Sequence, residues 1–171
     1  KKKKKHVWEH NLAKINDYIG KDIVFYNLGF PQRTLTKNFD DMKDKFYKII
    51  NFNSYTDIIT HDATDLHSDH LSVSKAARGL MKYADSFLTC YSPSSYGFDP
   101  NFYVELSKEE FDFKHNLLQK YDFSKEQSYT KKGSYFRKEY TNIPAIYSLE
   151  NFVNRDLKYC EIYKIYKWVQ Q

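Results

Sequence analysis

The sequence has few of the residues that mark several common classes of protein. It contains 171 residues but only 2 cysteines, Cys90 and Cys160, and only 5 glycines. Two cysteines cannot form a disulfide-rich scaffold or a zinc knuckle, and they favour a reducing compartment. The glycines do not follow the spacing of the two common phosphate-binding loops, which disfavours nucleotide binding in those modes. No apolar run reaches the ~20 residues that a membrane span needs. No signal peptide is expected, because Lys1–Lys5 are not followed by an apolar segment.

Arginine is also scarce, since lysine supplies 23 of the 27 basic residues. Lysine binds phosphates as a point charge, whereas arginine is the usual bidentate reader of bases. This bias, with a net charge of +5 and a pI of about 8.9, favours a polyanionic partner contacted through its backbone. The high content of Lys, Asn, Tyr and Phe is equally expected from an AT-rich genome. Both interpretations stay open.

Apolar periodicity predicts strands that alternate with helices. The predicted strands are Asp22–Leu28, Asp57–Thr60, Ser86–Tyr91, Phe102–Leu106 and Ile143–Tyr147. The predicted helices cover about residues 37–50, Val73–Ala84 and Ser107–Tyr121, the last beginning at an S-x-x-E capping box. Residues Leu157–Val169 fit a helix or a strand. The alternation predicts one Rossmann-like three-layer α/β domain with a mostly parallel sheet over residues 11–171, after a basic extension over residues 1–10.

The densest polar cluster lies between His61 and His70. Within it, Asp65-x-His67-x-Asp69-His70 resembles the H-x-H-x-D-H motif of metallo-β-lactamase-fold hydrolases, with Asp in the first place. Imidazoles and carboxylates at this spacing suit divalent ions that polarise a bridging hydroxide. A solvated loop that caps a helix explains the same residues, since Asp and Ser are common helix caps. The capping loop is the main interpretation. A metal site at Asp65, His67, Asp69 and His70 is the alternative.

Several segments, read in order, resemble the bacterial and organellar family of small-subunit ribosomal protein two. The similar segments are Asn11–Gly20 (N-P-x-M-x-x-Y-I-x-G in the family), Phe25–Leu28 with Thr34 (I-I-D-L-x-x-T), Thr56–Thr60 (I-L-F-V-G-T), Pro100–Val104 (P-D-L-V-F) and Glu139–Ile146 (E-A-x-x-L-x-I-P-x-I). The resemblance covers about residues 6–163. The sequence departs from the family in lacking room for its coiled-coil insertion.

The resemblance implies a structural protein of the small ribosomal subunit that binds rRNA and neighbouring ribosomal proteins without catalysis. It also implies a mitochondrial (organellar) ribosome or the cytoplasm of an AT-rich bacterium. No cofactor, membrane or small-molecule substrate is expected. The expected phosphate contacts are Lys1, Lys2, Lys3, Lys4, Lys5, Lys14, Lys21, Arg33, Lys131, Lys132, Arg137 and Lys138. The alternatives are a metal-dependent hydrolase that uses the His61–His70 cluster and a lineage-specific interaction protein without activity.

Overall fold

A computed structural model describes residues 24–52, 55–120 and 159–169, which form a mixed α/β fold. The elements in chain order are α1 (Phe39–Phe52), β1 (Asp57–His61), α2 (Ser68–Arg78), a 3₁₀ helix (Met81–Tyr83), β2 (Ser86–Cys90), β3 (Phe102–Glu105), α3 (Lys108–Lys120) and β4 (Cys160–Trp168). The described residues fall into two compact units, one within Asn27–Val104 and Glu161–Gln171, the other within Lys1–Tyr26 and Glu105–Cys160. Within the described ranges, every helix is too short or too polar to span a membrane.

The four described strands form one sheet in the order β1-β2-β4-β3. β1 and β2 are parallel, with Asp57 opposite Ser86 and His61 opposite Cys90, and α2 is the crossover that parallel strands require. β4 runs antiparallel to β2. It also runs antiparallel to β3, since Asn101 N–H donates to the Tyr163 carbonyl at 3.1 Å while Leu106 N–H, further along, donates to the earlier Tyr159 carbonyl at 2.9 Å. A mostly parallel sheet is therefore not confirmed among the described strands. The described sheet is mixed because β4 lies between β2 and β3 and runs in the opposite direction to both.

The core of the first unit forms where α1 contacts α2 and α2 contacts β1. Met42 of α1, Ala76 of α2 and Phe87 of β2 are 1%, 1% and 0% exposed. Full burial of a side chain such as Met42 or Phe87 stabilises the fold by roughly 1.5–3 kcal/mol. The small alanine of α2 lets the helix approach the sheet closely. This packing holds α2 against β1.

The structure decides two of the sequence predictions about single elements, the strand over Asp22–Leu28 and the ambiguous segment Leu157–Val169. From Val24 onward the predicted strand over Asp22–Leu28 is wrong, because these residues are largely exposed and pair with no described strand. The chain then turns at Gly29, which has φ 74° and donates its N–H to the Asn27 side chain at 2.8 Å. The ambiguous tail is a strand, β4, in which Cys160 and Ile162 are buried. The predicted strand over Ile143–Tyr147 lies outside the described residues.

The described part of the second unit contains α3, which begins as the sequence predicts. Ser107 N–H donates to Glu110 Oε2 at 2.7 Å, and Glu110 N–H donates to Ser107 Oγ at 3.1 Å. This reciprocal pair confirms the capping box. Phe111, on the first turn, is 1% exposed and stacks on Tyr159 with ring centroids 4.4 Å apart.

Candidate metal centre

The turn after β1 is fixed by the carboxylate of Asp62, which is 2% exposed. It accepts hydrogen bonds from Thr64 N–H at 2.9 Å, Thr64 Oγ1 at 2.8 Å, Thr89 Oγ1 at 2.6 Å and the Tyr166 hydroxyl at 3.2 Å. Burial opposes the ionisation of Asp62, but these hydrogen bonds outweigh it and lower its pKa below the ordinary value. The carboxylate is fully used in holding the turn, so it is not a free base or ligand.

Asp65 is the hub of the polar cluster, and it is also 2% exposed. Its carboxylate accepts from Ser94 Oγ at 2.7 Å, from His67 N–H at 2.8 Å and from the hydroxyl of Ser92. His70 Nδ1 lies 2.9 Å from Asp65 Oδ2. Burial opposes ionisation, but the serine, backbone and histidine hydrogen bonds lower the pKa of Asp65 to about 2. The side chain is therefore a carboxylate at any physiological pH.

Three imidazole rings gather beside this carboxylate. His61, the last residue of β1, stacks on His70 with ring centroids 3.9 Å apart, and His67 lies 4.4 Å from His70 by the same measure. His61 Nδ1 is buried without a hydrogen-bond partner in the described part of the chain, and it lies 3.9 Å from Asp65 Oδ2. Burial, followed by the proximity of His70, lowers the pKa of His61 below 6.5. A neutral ring with an unsatisfied nitrogen is ready to accept a cation.

His61, Asp65 and His70 together form a candidate metal-binding set. One potential ligand atom from each lies within 4.8 Å of the others. Two ligand atoms bound to one tetrahedral zinc ion at ~2.1 Å each lie ~3.4 Å apart. The set therefore fits an ion once its ligand atoms move closer by up to about 1.4 Å. Two imidazoles and one carboxylate leave coordination positions open, which is the arrangement of catalytic sites and not of structural ones.

The structure divides the four residues of the metal-binding alternative into two groups. Asp65 and His70 meet at the candidate centre. His67 caps α2, with Nδ1 accepting from Asp69 N–H at 3.2 Å. Asp69 is 8% exposed and turned the other way, accepting from Arg33 N–H at 2.5 Å and Leu35 N–H at 3.2 Å. Asp69 is therefore occupied in anchoring the loop before α1.

His61 was part of the polar cluster in the sequence but outside the predicted ligand set. It ends β1 and precedes Asp65 by four residues, so the turn returns the chain and brings the two side chains together. A histidine at the carboxyl end of a parallel strand is the signal that identifies it, since sites in α/β sheets lie at that edge. Ser92 and Ser94 were also missed, because they come from the loop after β2, more than 20 residues from the cluster in sequence.

Most of the predicted phosphate contacts fall outside the described residues. These are Lys1, Lys2, Lys3, Lys4, Lys5, Lys14, Lys21, Lys131, Lys132, Arg137 and Lys138. Arg33 is described, and it is exposed on the loop between Gly29 and α1. Its φ of 63° makes it the one non-glycine residue with a positive φ among those that the structure describes.

No protein-family model matches the sequence, and no curated protein matches it significantly. Solved structures do match the fold. GalB, the 4-carboxy-2-hydroxymuconate hydratase of Pseudomonas putida, has a TM-score of 0.60 and 12% identity over 96% of this chain and 73% of its own. The conserved protein TT1542 of Thermus thermophilus has a TM-score of 0.62 and 15% identity over 100% of this chain and 78% of its own.

These similarities correct the predicted function. The fold is shared with a hydratase and with a conserved bacterial protein, so the prediction of a structural role in the small ribosomal subunit is wrong. The weak sequence matches, although in the right order, gave a wrong prediction of function because each match covers only a short strand or turn. Alternating β-branched and aromatic residues are common to many α/β sheets.

Proposed function

We propose that the protein is a metal-dependent enzyme that activates water, using His61, Asp65 and His70 to hold a divalent ion. One observation carries the proposal. The buried, unsatisfied Nδ1 of His61 faces Asp65 Oδ2 at 3.9 Å, and the same oxygen lies 2.9 Å from His70 Nδ1. A cation between the carboxylate and the imidazole nitrogens would be bound by both kinds of group. Structural histidines ordinarily find a hydrogen-bond partner instead.

The ion would supply a Lewis acid and lower the pKa of a bound water towards neutrality. The protein side chains keep the site ready for it. Asp65 is held ionised by Ser92 and Ser94, and His61 is held neutral by burial. A metal ion would be held by His61, Asp65 and His70, and protons would compete with it for these groups in acid.

His67 completes the chemistry as a hydrogen-bond donor. Its Nδ1 accepts the N–H of Asp69, so the neutral ring carries its proton on Nε2. The capping bond of α2 thus fixes the tautomer, and the ring is 4.4 Å from His70 between centroids. In this proposal the Nε2–H group stabilises negative charge that develops on the substrate oxygen.

The reaction is addition of water to a double bond or hydrolysis. Both consume an activated water, and the hydratase name of GalB supports the first. The finer architecture belongs to the same proposal. The parallel β1–α2–β2 unit is the building block of a Rossmann-like three-layer domain, and such domains carry their sites at the carboxyl ends of parallel strands. His61 stands at that end of β1.

Titration of metal-free protein with zinc, manganese and iron(II) by calorimetry tests the proposal. We expect one ion per chain, with an affinity that falls in acid as protons compete for the ligands. His70→Ala should weaken binding by more than about 100-fold, because it removes a ligand from a three-ligand set. Binding of less than one equivalent of all three ions by the native protein would overturn the proposal.

His67→Asn is the matched control for metal binding. Asparagine keeps a helix cap at this position but has no imidazole. We expect its metal affinity to stay within about threefold of the native value. An equal loss of affinity in His67→Asn and His70→Ala would mean that the ion, if bound, does not use the proposed set.

A further inference from the structure

An apolar groove of about 320 Å³ lies in the first unit, between α1, β1 and α2. Phe46 and Ile49 line it from α1, Ile58 lines it from β1, and Val73 and Ala77 line it from α2. Its volume is at the lower end of the range of small-ligand sites, which is ~300–1,000 Å³. Such sites are mostly apolar and contain a small number of polar groups that orient the ligand.

The groove opens to solvent at the edge of the sheet. Within the described ranges β1 pairs with β2 alone, so the other edge of β1 is open. Ile59 of β1 lines the groove and is 58% exposed. Apolar surface that remains in water at a concave site favours a ligand that covers it.

Thr60 adds a polar group that has no partner. This residue lines the groove and is only 8% exposed. Its Oγ1 is buried without a hydrogen-bond partner among the described residues. Buried hydroxyls are ordinarily hydrogen-bonded, so a ligand with a hydroxyl of its own would satisfy Thr60 Oγ1.

The charge of the groove comes from Asp57, at the start of β1. Of the residues that line the groove in the described part of the chain, Asp57 alone carries a formal charge at pH 7. Its carboxylate is exposed, and it accepts from the hydroxyl of Ser86 and from Thr56 Oγ1 at 2.7 Å. These two hydrogen bonds lower the pKa of Asp57, so the group is ionised at neutral pH. A negative rim favours a cation and disfavours a carboxylate or a phosphate.

We propose that the groove binds a small amphiphilic amine, with the ammonium group at Asp57, the apolar body in the groove and a hydroxyl at Thr60. Asp57 and Thr60 lie near the two ends of β1, so the ligand has one polar group at each end. The proposal goes beyond the metal centre, because His61, Asp65 and His70 do not line the groove. A second copy of the chain, paired with the open edge of β1, is the rival occupant.

Calorimetric titration of the whole, metal-free chain with a matched series of phenols tests the charge. Tyramine carries an ammonium group, 4-ethylphenol carries no charge at that end, and 3-(4-hydroxyphenyl)propionate carries a carboxylate. We expect tyramine to bind about fivefold more tightly than 4-ethylphenol, and the propionate to bind most weakly. Asp57→Asn should reduce the affinity for tyramine to that for 4-ethylphenol. Asp99→Asn is the control, because it removes an exposed carboxylate that does not line the groove.

Thr60→Val tests the hydroxyl, since valine has nearly the same shape and no oxygen. We expect this substitution to weaken tyramine binding by about threefold to tenfold, the effect of one hydrogen bond. Binding of phenethylamine, which is tyramine without its hydroxyl, should be unchanged. A loss of the same size for both amines would overturn the assignment of Thr60.

Three further results would overturn the proposal. The first is binding of tyramine and 3-(4-hydroxyphenyl)propionate with equal affinity, and the second is an equal loss of tyramine affinity in Asp57→Asn and Asp99→Asn. The third is absence of binding by every member of the series at millimolar concentration. Sedimentation of the same samples tests the rival occupant. A native dimer that Ile59→Lys converts to a monomer would show that a second copy covers the groove, and we expect a monomer in both.

Discussion

The imidazole rings of His61 and His70 are parallel, with planes 3° apart and centroids 3.9 Å apart. One ring ends β1 and the other lies in the first turn of α2, so the turn held by Asp62 brings them together. Two imidazolium ions cannot both occupy such a half-buried stack, because like charges repel and burial disfavours each of them. The stack therefore keeps at least one ring neutral, and a neutral ring has a lone pair to offer.

Asp65→Asn should destabilise the metal-free protein and remove part of its acid sensitivity. The pKa of Asp65 is lowered from 3.8 to about 2, so its contribution to folding is full above pH 3.8 and is lost as the pH falls through about 2. We expect a loss of about 1–3 kcal/mol in the free energy of unfolding at pH 7, since an amide leaves buried donors unmatched. The difference between native and variant protein should shrink below pH 3.8. Urea unfolding at several pH values measures it.

Asp99→Asn is the control for this experiment. Asp99 is exposed and pairs with Lys164 at 3.3 Å, and an exposed pair contributes little. We expect less than about 1 kcal/mol of change at any pH. A loss in Asp65→Asn that does not diminish in acid would contradict the assignment of Asp65 as a carboxylate held ionised by its neighbours.

Tyr166→Phe should loosen the turn after β1 by removing one hydroxyl. That hydroxyl donates to Asp62 Oδ2 at 3.2 Å and accepts from Arg78 Nη2 at 2.8 Å, so it links β4, α2 and the turn. We expect a loss of about 0.5–1.5 kcal/mol in the free energy of unfolding, the net value of a hydrogen bond. Tyr96→Phe is the matched substitution, since Tyr96 is 78% exposed and should change stability by less than about 0.5 kcal/mol. Equal effects in the two variants would mean that the Tyr166 link carries no stability.

Part of the fold follows from the sequence because local patterns decide it. Asp57–His61 and Ser86–Cys90 are short β-branched and apolar runs that end at polar turns, and both are strands. The run around Val24–Leu28 has the same pattern, yet no described strand pairs with it. A strand is defined by hydrogen bonds to a neighbouring strand, and its own residues do not specify that partner. The sequence does not determine the direction of β4 for the same reason. The spacing of apolar residues does not indicate whether a strand pairs in parallel or antiparallel.

The location of the site follows from the sequence, but its internal arrangement does not. The density of His and Asp between His61 and His70 marks the segment. Which carboxylate meets the imidazoles depends on side-chain directions that spacing alone leaves open. Asp69 points at the Arg33 loop while Asp65 points at His70, although only four residues separate them. The serine donors that keep Asp65 ionised come from a distant loop, and only the β1–β2 pairing brings that loop close.

Ser74→Ala should stabilise the protein, whereas Ser72→Ala should destabilise it. Ser74 is 0% exposed, and its hydroxyl has no hydrogen-bond partner among the described residues. Alanine removes this buried unsatisfied group, whose burial costs about 1–3 kcal/mol, and is also the better helix former by up to about 0.5 kcal/mol.

Ser72 provides the comparison within α2. Its hydroxyl donates to the Ser68 carbonyl at 2.9 Å and lies 3.2 Å from Thr36 Oγ1, so Ser72→Ala removes bonds that link the helix to the loop before α1. We expect it to lose about 0.5–1.5 kcal/mol in the free energy of unfolding, measured by urea denaturation beside Ser74→Ala. The two variants should therefore move the unfolding midpoint in opposite directions. A rise of both midpoints would show that helix propensity, and not hydrogen bonding, sets the stability of α2, and a fall of both would show that the Ser74 hydroxyl is not destabilising.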